Sequence, residues 1–294
     1  MKKNKIKDRR PPALKDEHMP KDFSIALKAY GGGGTTKSLN PNPKKLKYQS
    51  MKGFETEYKN IIDYIVRITY RIWEDKNIGY IYDTYSKDCR VWDEFGLQFG
   101  SEKIVADTVH TNNAFPDIRL FADEVIWAGD EKNSFHTSHR TIITGKNTGY
   151  SKFSPPTGKS VRLLCIANCV AKNNEIYYEN VVYDTVTLIN QLGLNVNEIA
   201  REIANQGNVG PFAPDFKSSK PKRKISKSKN LEFEIPNKIS NIRDFSKAVF
   251  NTIWNRRDFS AIDKVYSDDI IFEGSTERKF KGKKQLRNFV ISMI

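Results

Sequence analysis

The spacing of apolar residues changes near Pro116, and this change limits the possible folds more than any other feature of the chain. Three helices are predicted in the part of the chain before Pro116. The second is short and covers residues 78–85, a β stretch covers 89–99, and the third helix covers 101–115. The first helix carries the clearest pattern, because its apolar residues recur every three or four positions. These residues are Ile61, Ile62, Ile65, Ile68, Ile72 and Trp73. The chain before Pro116 is therefore predicted to be mostly helical.

After Pro116 the apolar pattern is typical of β-strands. Four strands are predicted, at 119–127, 134–144, 160–171 and 176–184, with turn-forming residues between them. A final helix is predicted from Asp184 to about residue 204, with Asp184 or its neighbour Thr185 as the N-cap. Helices followed by consecutive strands predict an α+β domain, in which the helices cover one face of a strongly curved antiparallel sheet.

Composition divides the chain into four parts. Residues 1–50 contain a four-glycine run and several prolines, and we expect a disordered basic tail there. Residues 51–206 form the predicted α+β domain, and residues 207–238 read as a basic Lys/Ser/Pro linker. The remaining part, 239–294, begins a second pattern of apolar helices.

The net charge of +14 lies in the tail and the linker. Residues 1–50 carry 13 Lys/Arg against 4 Asp/Glu, and residues 207–238 carry 8 against 3. The predicted domain at 51–206 is slightly acidic, with 17 basic against 21 acidic residues. A basic flexible segment makes nonspecific contacts with polyanions. We therefore expect no specific nucleic-acid site.

The sequence predicts neither a membrane protein nor a secreted one. No apolar stretch approaches 18 residues, and the basic N-terminus lacks the apolar region and cleavage site of a secretion signal. The three cysteines, Cys89, Cys165 and Cys169, are odd in number and lack the C-x-x-C spacing of a redox pair. We expect reduced, buried thiols in a cytoplasmic protein.

An internal repeat relates the first helices to the C-terminal part of the chain. The stretch WEDKNIGYIYDTYSKD from Trp73 aligns without a gap to WNRRDFSAIDKVYSDD from Trp254, at an offset of 181 residues. One inserted residue later, Gly100 matches Gly282. The second copy has the helices but not the sheet, so it either packs on the first domain, pairs with another chain or is a shortened product of a longer protein. The last interpretation is favoured.

Five motifs between residues 57 and 204 resemble those of the SnoaL-like polyketide cyclase family, in the nuclear transport factor 2-like superfamily. They are AFPD at 114–117, GD at 129–130, TGKNTG at 144–149, PPTGK at 155–159 and YDTVTLINQLG from Tyr183. The resemblance covers about half of the chain. It implies a cone formed by a curved antiparallel sheet and three covering helices, followed by a partial second copy.

The resemblance also implies that residues 144–159 connect two long strands. Gly158-Lys159-Ser160 looks like the end of a phosphate-binding loop, but Phe153 stands where its first glycine is required. In the cone, the glycines permit φ > 0 and the prolines stiffen the return of the chain. Lys159 is then expected to be an exposed residue at the edge of the cone.

The cone of this family encloses an apolar pocket, in which an acidic side chain moves a proton next to a carbonyl group. Glu179 and Asp184 match acidic positions of the family's last strand, whereas Val181 stands where many members are acidic. A carboxyl in an apolar cavity has a raised pKa, which suits general acid or base work. Glu179, Asp184 and His139 are therefore the catalytic candidates.

Several other side chains are candidates for substrate binding. They are His136, Arg140, Asn168, Trp92, Trp127 and Tyr183. Because His136 and His139 are three residues apart on one strand, only one of them can face the cavity, and no metal site is expected. Structural roles remain open: Asp184 can cap the last helix, Glu179 can face water, His139 can be a hydrogen-bonded structural residue, and the aromatic side chains can be core residues.

Two classes of function stay open at this point. One is a small enzyme without a cofactor, of the cyclase or isomerase type, acting on a small apolar carbonyl compound. The other is a non-catalytic module of the same fold that binds a ligand or forms a homodimer. A cavity with a buried carboxylate near an imidazole favours the enzyme, and a cavity filled by its own aromatic side chains favours the module.

Overall fold

The computed structural model describes residues 49–206, 235, 242–276 and 278–293. Contacts divide the chain into two compact units, one within Met1–Pro214 and one within Asp215–Ile294. The expected tail at 1–50 and linker at 207–238 lie almost entirely outside the described residues.

The first unit opens with three helices and a hairpin. Helix α1 (Ile61–Trp73) begins at Asn60, whose side-chain oxygen accepts a hydrogen bond from the Asp63 backbone N–H at 2.8 Å. A 3₁₀ turn leads into the short helix α2 (Ile81–Thr84). The hairpin and the third helix follow as β1 (Tyr85–Asp93), β2 (Gly96–Phe99) and α3 (Ser101–Ala114).

Four long strands complete the sheet of the first unit. They are β3 (Arg119–Asp130), β4 (Ser134–Lys146), β5 (Ser160–Lys172) and β6 (Glu175–Tyr183). The strand order is β2-β1-β6-β5-β4-β3. Every neighbouring pair is antiparallel except β1 and β6, which are parallel. The expected α+β architecture is confirmed, but its sheet is mixed, because the long connection through α3 and the three-hairpin meander brings β6 back in the direction of β1.

The last helix of the first unit is broken in two, whereas one continuous helix to about residue 204 was predicted. Helix α4 (Thr185–Gln191) begins at Asp184, as expected, and α5 (Val196–Gln206) follows after a four-residue turn. Gly193 ends α4 in the left-handed region, with φ of 78°. The side chain of Asn195 then accepts hydrogen bonds from the backbone N–H groups of Asn197 and Glu198, which begins the next helix.

The apolar core of the first unit lies between the helices and one face of the sheet. Ile61, Ile65 and Ile68 of α1 are buried there, together with Phe135 of β4 and Ile176 of β6. A second group of buried residues continues along the same face and includes Leu120, Leu163 and Val181. The amphipathic pattern of α1 and the alternation on the strands account for this arrangement.

The second unit contains α6 (Ile242–Phe250), a π-helical turn at Asn251–Asn255, α7 (Ala261–Val265), β7 (Ile271–Glu273), β8 (Lys279–Lys281) and α8 (Lys283–Ser292). The strands β7 and β8 form a short antiparallel hairpin. The core consists of side chains such as Ile253, Ile262, Leu286 and Val290, with partly buried aromatic rings around them. The order of helices and hairpin is the same as at the start of the first unit.

Candidate active site

A cavity of about 240 Å³ lies between the concave face of the sheet and the helices of the first unit. Its floor is formed by alternate residues of β4, β5 and β6, because every second side chain of a strand points to the same face. These floor residues include His139, Thr141, Cys165, Glu179, Val181 and Tyr183. Apolar atoms form most of the wall, so the cavity suits a small, largely apolar ligand with a few polar groups.

Glu179 places a buried carboxyl group in the floor of this cavity. The residue is 8% exposed and lies in the middle of β6. The Tyr85 hydroxyl donates to Glu179 Oε2 at 3.1 Å, and the Cys169 thiol donates to Oε1 at 3.5 Å. Burial raises the pKa of Glu179 to about 7, and the two hydrogen bonds oppose that rise. At neutral pH this carboxyl can therefore both accept and release a proton.

His139 places an imidazole in the same floor, on β4. It is 3% exposed, and its Nε2 is a buried atom without a hydrogen-bond partner in the described part of the chain. Burial lowers the pKa of His139 to about 4, so the ring is neutral at physiological pH. A substrate oxygen or proton that pairs with Nε2 would remove the penalty of leaving this atom unpaired.

The carboxyl and the imidazole lie on strands that flank β5 on its two sides. His139 is opposite Ala167, which is opposite Val181, two residues along β6 from Glu179. Two strand spacings separate β4 and β6, or roughly 10 Å. A small molecule in the cavity can therefore contact both side chains.

Asp184, the other catalytic candidate, has a different environment. Its side chain accepts hydrogen bonds from the Thr187 backbone N–H at 3.3 Å and the Thr187 hydroxyl at 2.8 Å, at the start of α4. It is not among the residues that line the cavity, whereas its neighbour Tyr183 is. This geometry is that of a helix N-cap.

Five of the predicted substrate-binding residues do not line the cavity. They are His136, Arg140, Asn168, Trp92 and Trp127. Strand alternation explains the first four of these residues. They point to the outer face of the sheet, whereas His139, Cys169 and Val91 point to the inner face. Arg140 forms an ion pair with Asp123 there, and Asn168 is exposed. Trp127 packs on the apolar core, 6.3 Å from the ring of Phe135.

Three residues that were not predicted from the sequence contribute to the site. Tyr85 and Cys169 hold the carboxyl of Glu179, and His110 reaches the cavity from α3 with a buried Nε2 that has no hydrogen-bond partner among the described residues. The sequence pattern places Tyr85 in a helix and predicts for Cys169 only a buried thiol. The alternation of apolar residues on β5 puts Cys169 on the inner face, which was the available signal.

Residues of the β1–β2 turn and of the loop of residues 147–159 line one end of the cavity. The rings of Phe95 and Phe153 lie 6.2 Å apart across it, and Lys152 Nζ lies 4.7 Å from the centre of the Phe95 ring. Glu94 lines the same end of the cavity. Aromatic side chains therefore face each other at this end of the cavity.

The loop of residues 147–159 is held by Asn147, which is fully buried. Its amide nitrogen donates to the Gly149 carbonyl at 2.8 Å, and its side-chain oxygen accepts from the Thr157 backbone N–H at 2.8 Å. A Cβ on Gly149 would lie 2.0 Å from the Asn113 carbonyl oxygen, so only glycine fits. The segment connects β4 and β5 as expected, and Lys159 is exposed.

Neither a metal site nor a membrane-spanning helix is found in the described ranges. No three His, Cys, Asp or Glu side chains of residues 49–206, 235, 242–276 and 278–293 are grouped so that they could bind a metal ion. Within the same residues, none of the helices combines the length and apolar character needed to span a bilayer.

Comparison with known proteins gives matches only among solved structures. No protein-family model and no curated protein matches the chain. A protein from Jannaschia sp. CCS1 assigned to the SnoaL-like polyketide cyclases is 16% identical, with a TM-score of 0.42, and the match covers 50% of this chain and 99% of that one. IdmH from Streptomyces antibioticus, assigned as a polyketide cyclase, is 17% identical, with a TM-score of 0.39 and coverage of 45% and 98%.

A third solved structure has a ketosteroid isomerase-like fold. It is a hypothetical protein from Catenulispora acidiphila DSM 44928 in complex with trimethylamine. It is 17% identical, with a TM-score of 0.38, and the match covers 45% of this chain and 95% of that one. The first of these matching structures is assigned to the SnoaL-like polyketide cyclases, the family that the sequence motifs resemble.

Proposed function

We propose that the first unit is an enzyme without a cofactor, of the cyclase or isomerase type, that acts on a small carbonyl compound bound in the cavity. The observation that carries this proposal is the carboxyl of Glu179, buried in an apolar cavity with a pKa of about 7. A base that removes a proton next to a carbonyl works best when its pKa lies near the operating pH. The burial of Glu179 supplies that condition.

In the proposed reaction, the Glu179 carboxylate removes a proton from the carbon next to the substrate carbonyl. The electron pair of the broken C–H bond moves into the carbonyl, and negative charge develops on its oxygen. His139 is neutral, so with its proton on Nε2 it can donate a hydrogen bond to that oxygen. A neutral donor stabilises the enolate without giving up its proton.

The proton on Glu179 then leaves in one of two ways. In an isomerisation it returns to another carbon of the enolate. In a cyclisation the enolate carbon attacks a second carbonyl of the substrate, a carbon–carbon bond forms, and the proton goes to the new alkoxide oxygen. Both routes restore the Glu179 carboxylate, and neither requires an oxidant or a reductant. Tyr183 and Val181 line the cavity beside Glu179 and supply apolar contact surface.

Asp184 has no part in this mechanism, because its carboxylate accepts the hydrogen bonds of the α4 N-cap. The binding module without catalysis is the alternative function. It uses the same cavity, and the unpaired Nε2 of His139 is the observation in its favour, since a bound ligand would pair with it.

The experiment follows the exchange of the α-protons of 2-tetralone in D₂O by NMR, a probe that needs no knowledge of the natural substrate. We expect the protein to accelerate the exchange, with a rate that rises with pH up to about 7 as Glu179 ionises. Glu179→Gln should lower the acceleration by about 100- to 10,000-fold, the usual contribution of a general base.

Asp184→Asn is the matched control, because it also neutralises a buried carboxyl of the same unit. It should keep the exchange activity. Loss of activity in Asp184→Asn and not in Glu179→Gln would show that the wrong carboxyl has been chosen. Binding of 2-tetralone without any accelerated exchange would favour the binding module.

Two further proposals concern the whole chain. We propose that the second unit is a partial second copy of the first, because helices and hairpin occur in the same order in both. We propose a cytoplasmic location, since Cys89, Cys165 and Cys169 are all free thiols and all buried. The homodimer expected from the sequence stays a prediction.

A further inference from the structure

Two neutral donors, one on each oxygen, hold the carboxyl of Glu179. Cys169 is directly opposite Glu179 across β5 and β6, and its thiol donates to Oε1 at 3.5 Å. Tyr85 stands at the start of β1, the other neighbour of β6, and its hydroxyl donates to Oε2 at 3.1 Å. The two donors therefore reach the carboxyl from opposite sides of its strand.

The thiols, phenols and imidazole that face this carboxyl from the strands of the sheet are uncharged at neutral pH. Tyr85 and Cys89 face it from β1, Cys165 and Cys169 from β5, and Tyr183 from β6, while His139 lies across the floor on β4. Burial raises the pKa of each of these thiols and phenols, and it keeps His139 neutral above about pH 4. Among the described residues, the two hydrogen bonds from Tyr85 and Cys169 are what oppose the effect of burial on the pKa of Glu179.

The strength of a donor to a carboxylate decides how basic that carboxylate is. A hydrogen bond to the charged form favours it, and an S–H group is a weaker donor than an O–H group. A hydroxyl at position 169 would bind the carboxylate more strongly than the thiol does, and so make Glu179 a weaker base. The same substitution would also hold the side chain more tightly. Stronger binding of the base would thus lower its reactivity.

We propose that Cys169 is a positioning residue: its thiol, together with the Tyr85 hydroxyl, fixes the orientation of the Glu179 carboxyl while leaving it basic enough to accept a proton. This inference rests on the proposed role of Glu179 as the base. It assigns a purpose to a cysteine that is too buried to react as a nucleophile or a redox thiol.

The test is a titration of the Glu179 carboxyl in the full-length protein. Labelling with [δ-¹³C]glutamate gives one carbonyl signal per glutamate, and the signal absent from Glu179→Gln identifies the residue. The wild-type midpoint is expected near pH 7. Cys169→Ser should move it down by about one pH unit and Cys169→Ala should move it up by a similar amount, because the first strengthens and the second removes a bond to the carboxylate.

Cys89→Ser is the matched control, since Cys89 is a buried cysteine of the neighbouring strand that faces the carboxyl, whereas the hydrogen bonds described for that carboxyl come from Tyr85 and Cys169. It should leave the midpoint unchanged. Unchanged midpoints in both Cys169 variants, or shifts in the reverse order, would overturn the proposal, and Cys169→Ala alone decides it if Cys169→Ser does not fold.

The proton-exchange assay separates this proposal from the proposed function. The positioning role alone would be refuted if the wild-type protein exchanged the protons of 2-tetralone while substitution of Cys169 left the titration midpoint of Glu179 unchanged. The expected shifts in a protein that never accelerates exchange would support the hydrogen-bond arrangement and refute the enzyme. In an active enzyme, Cys169→Ser should move the midpoint of the rate profile in the same direction as the NMR midpoint.

Discussion

The described parts of the two units share one series of turns and differ in the length of their strands. Helix α1 is followed by Lys76 with φ of 60°, and the corresponding helix of the second unit is followed by Arg257 with φ of 60°. Gly100 stands before α3 with φ of 86° and ψ of 150°, and Gly282 stands before α8 with φ of 86° and ψ of 154°. The same local sequence signals therefore produce the same local conformations in both places.

The two units differ in their strands. In the first unit, four long strands cover the apolar face of α1 and enclose the cavity that contains Glu179. The described part of the second unit has two strands of three residues, and the rings of Phe272, Phe280 and Phe289 pack within 4.9–6.1 Å of one another around them. The helices thus set the direction of the chain, and the long strands make the cavity.

The greatest losses of stability are expected from substitutions in the cores of the two units. Phe135→Ala should lower the free energy of unfolding of the first unit by about 3–5 kcal/mol, and Ile262→Ala that of the second by about 2–5 kcal/mol, because both side chains are completely buried. A core as small as that of the second unit supplies only about 3–5 kcal/mol in total. Ile262→Ala should therefore unfold most of the second unit, whereas Phe135→Ala should leave the first unit folded. Amide hydrogen exchange measures each unit separately.

Phe250→Ala is the control, since Phe250 belongs to the second unit and is 64% exposed. It should change stability by less than about 0.5 kcal/mol. If Ile262→Ala reduced protection in the strands of the first unit as much as in α7 and α8, the two units would unfold together, and the contrast drawn between them would be wrong.

The second effect is a pH dependence that belongs to the first unit. An unfolded chain releases the Glu179 proton near pH 4.5, whereas the folded protein holds it to about pH 7. The folded state therefore binds more protons in this interval, and stability falls as pH rises through it, by about 3 kcal/mol. Glu179→Gln should remove this loss of stability. The variant should therefore be more stable than the wild type at pH 8, and this difference in stability should be much smaller at pH 5.

His139 contributes with the opposite sign. The unfolded chain takes up a proton on it below about pH 6.5, and the folded protein does so only near pH 4, so stability falls as pH decreases through that interval. In wild-type protein the two trends oppose each other between pH 4.5 and 6.5, and Glu179→Gln should expose the contribution of His139. Urea unfolding of the first unit at about pH 5, 6.5 and 8 measures both. Equal stabilisation by Glu179→Gln at the lowest and the highest pH would show that the carboxyl is not held protonated.

The second unit should lack this behaviour, because it contains no histidine. The pKa of Asp268 in this unit is lowered by the hydrogen bond and the positive charge of the Lys283 ammonium group. The pH dependence thus separates the unit that contains Glu179 and His139 from the other unit.

Elements that depend on neighbouring residues could be predicted from the sequence. The helix at Ile61–Trp73 follows from a 3.6-residue apolar period and an N-cap asparagine, and the four strands follow from runs of β-branched residues between turns. The break of the last helix was missed, although Gly193 and Asn195 are recognisable stop and start signals. Local conformations of this kind are determined by a few adjacent residues.

The contacts of the site could not be predicted, since they join distant parts of the chain. Tyr85 and Glu179 are 94 residues apart, and they meet only because β6 pairs in parallel with β1. Cys169 is opposite Glu179 through a register that shifts between Val170 and Ala171, and a slip of one residue would turn Cys169 to the other face. The side of the sheet on which Arg140 and Asn168 lie depends on the same register.

The smallest expected loss of stability tests whether the helix–turn–hairpin segment that both units share is held by the same contacts in each. Gly100 and Gly282 both have backbone angles that are almost restricted to glycine, and a Cβ would lie 3.3 Å from the Lys87 carbonyl oxygen in one case and 3.4 Å from the Asp268 carbonyl oxygen in the other. Gly100→Ala and Gly282→Ala should each lower the stability of their own unit by about 1–3 kcal/mol, measured by urea unfolding with amide exchange. A loss of stability at one glycine without a similar loss at the other would mean that the two segments have the same shape but are stabilised by different contacts.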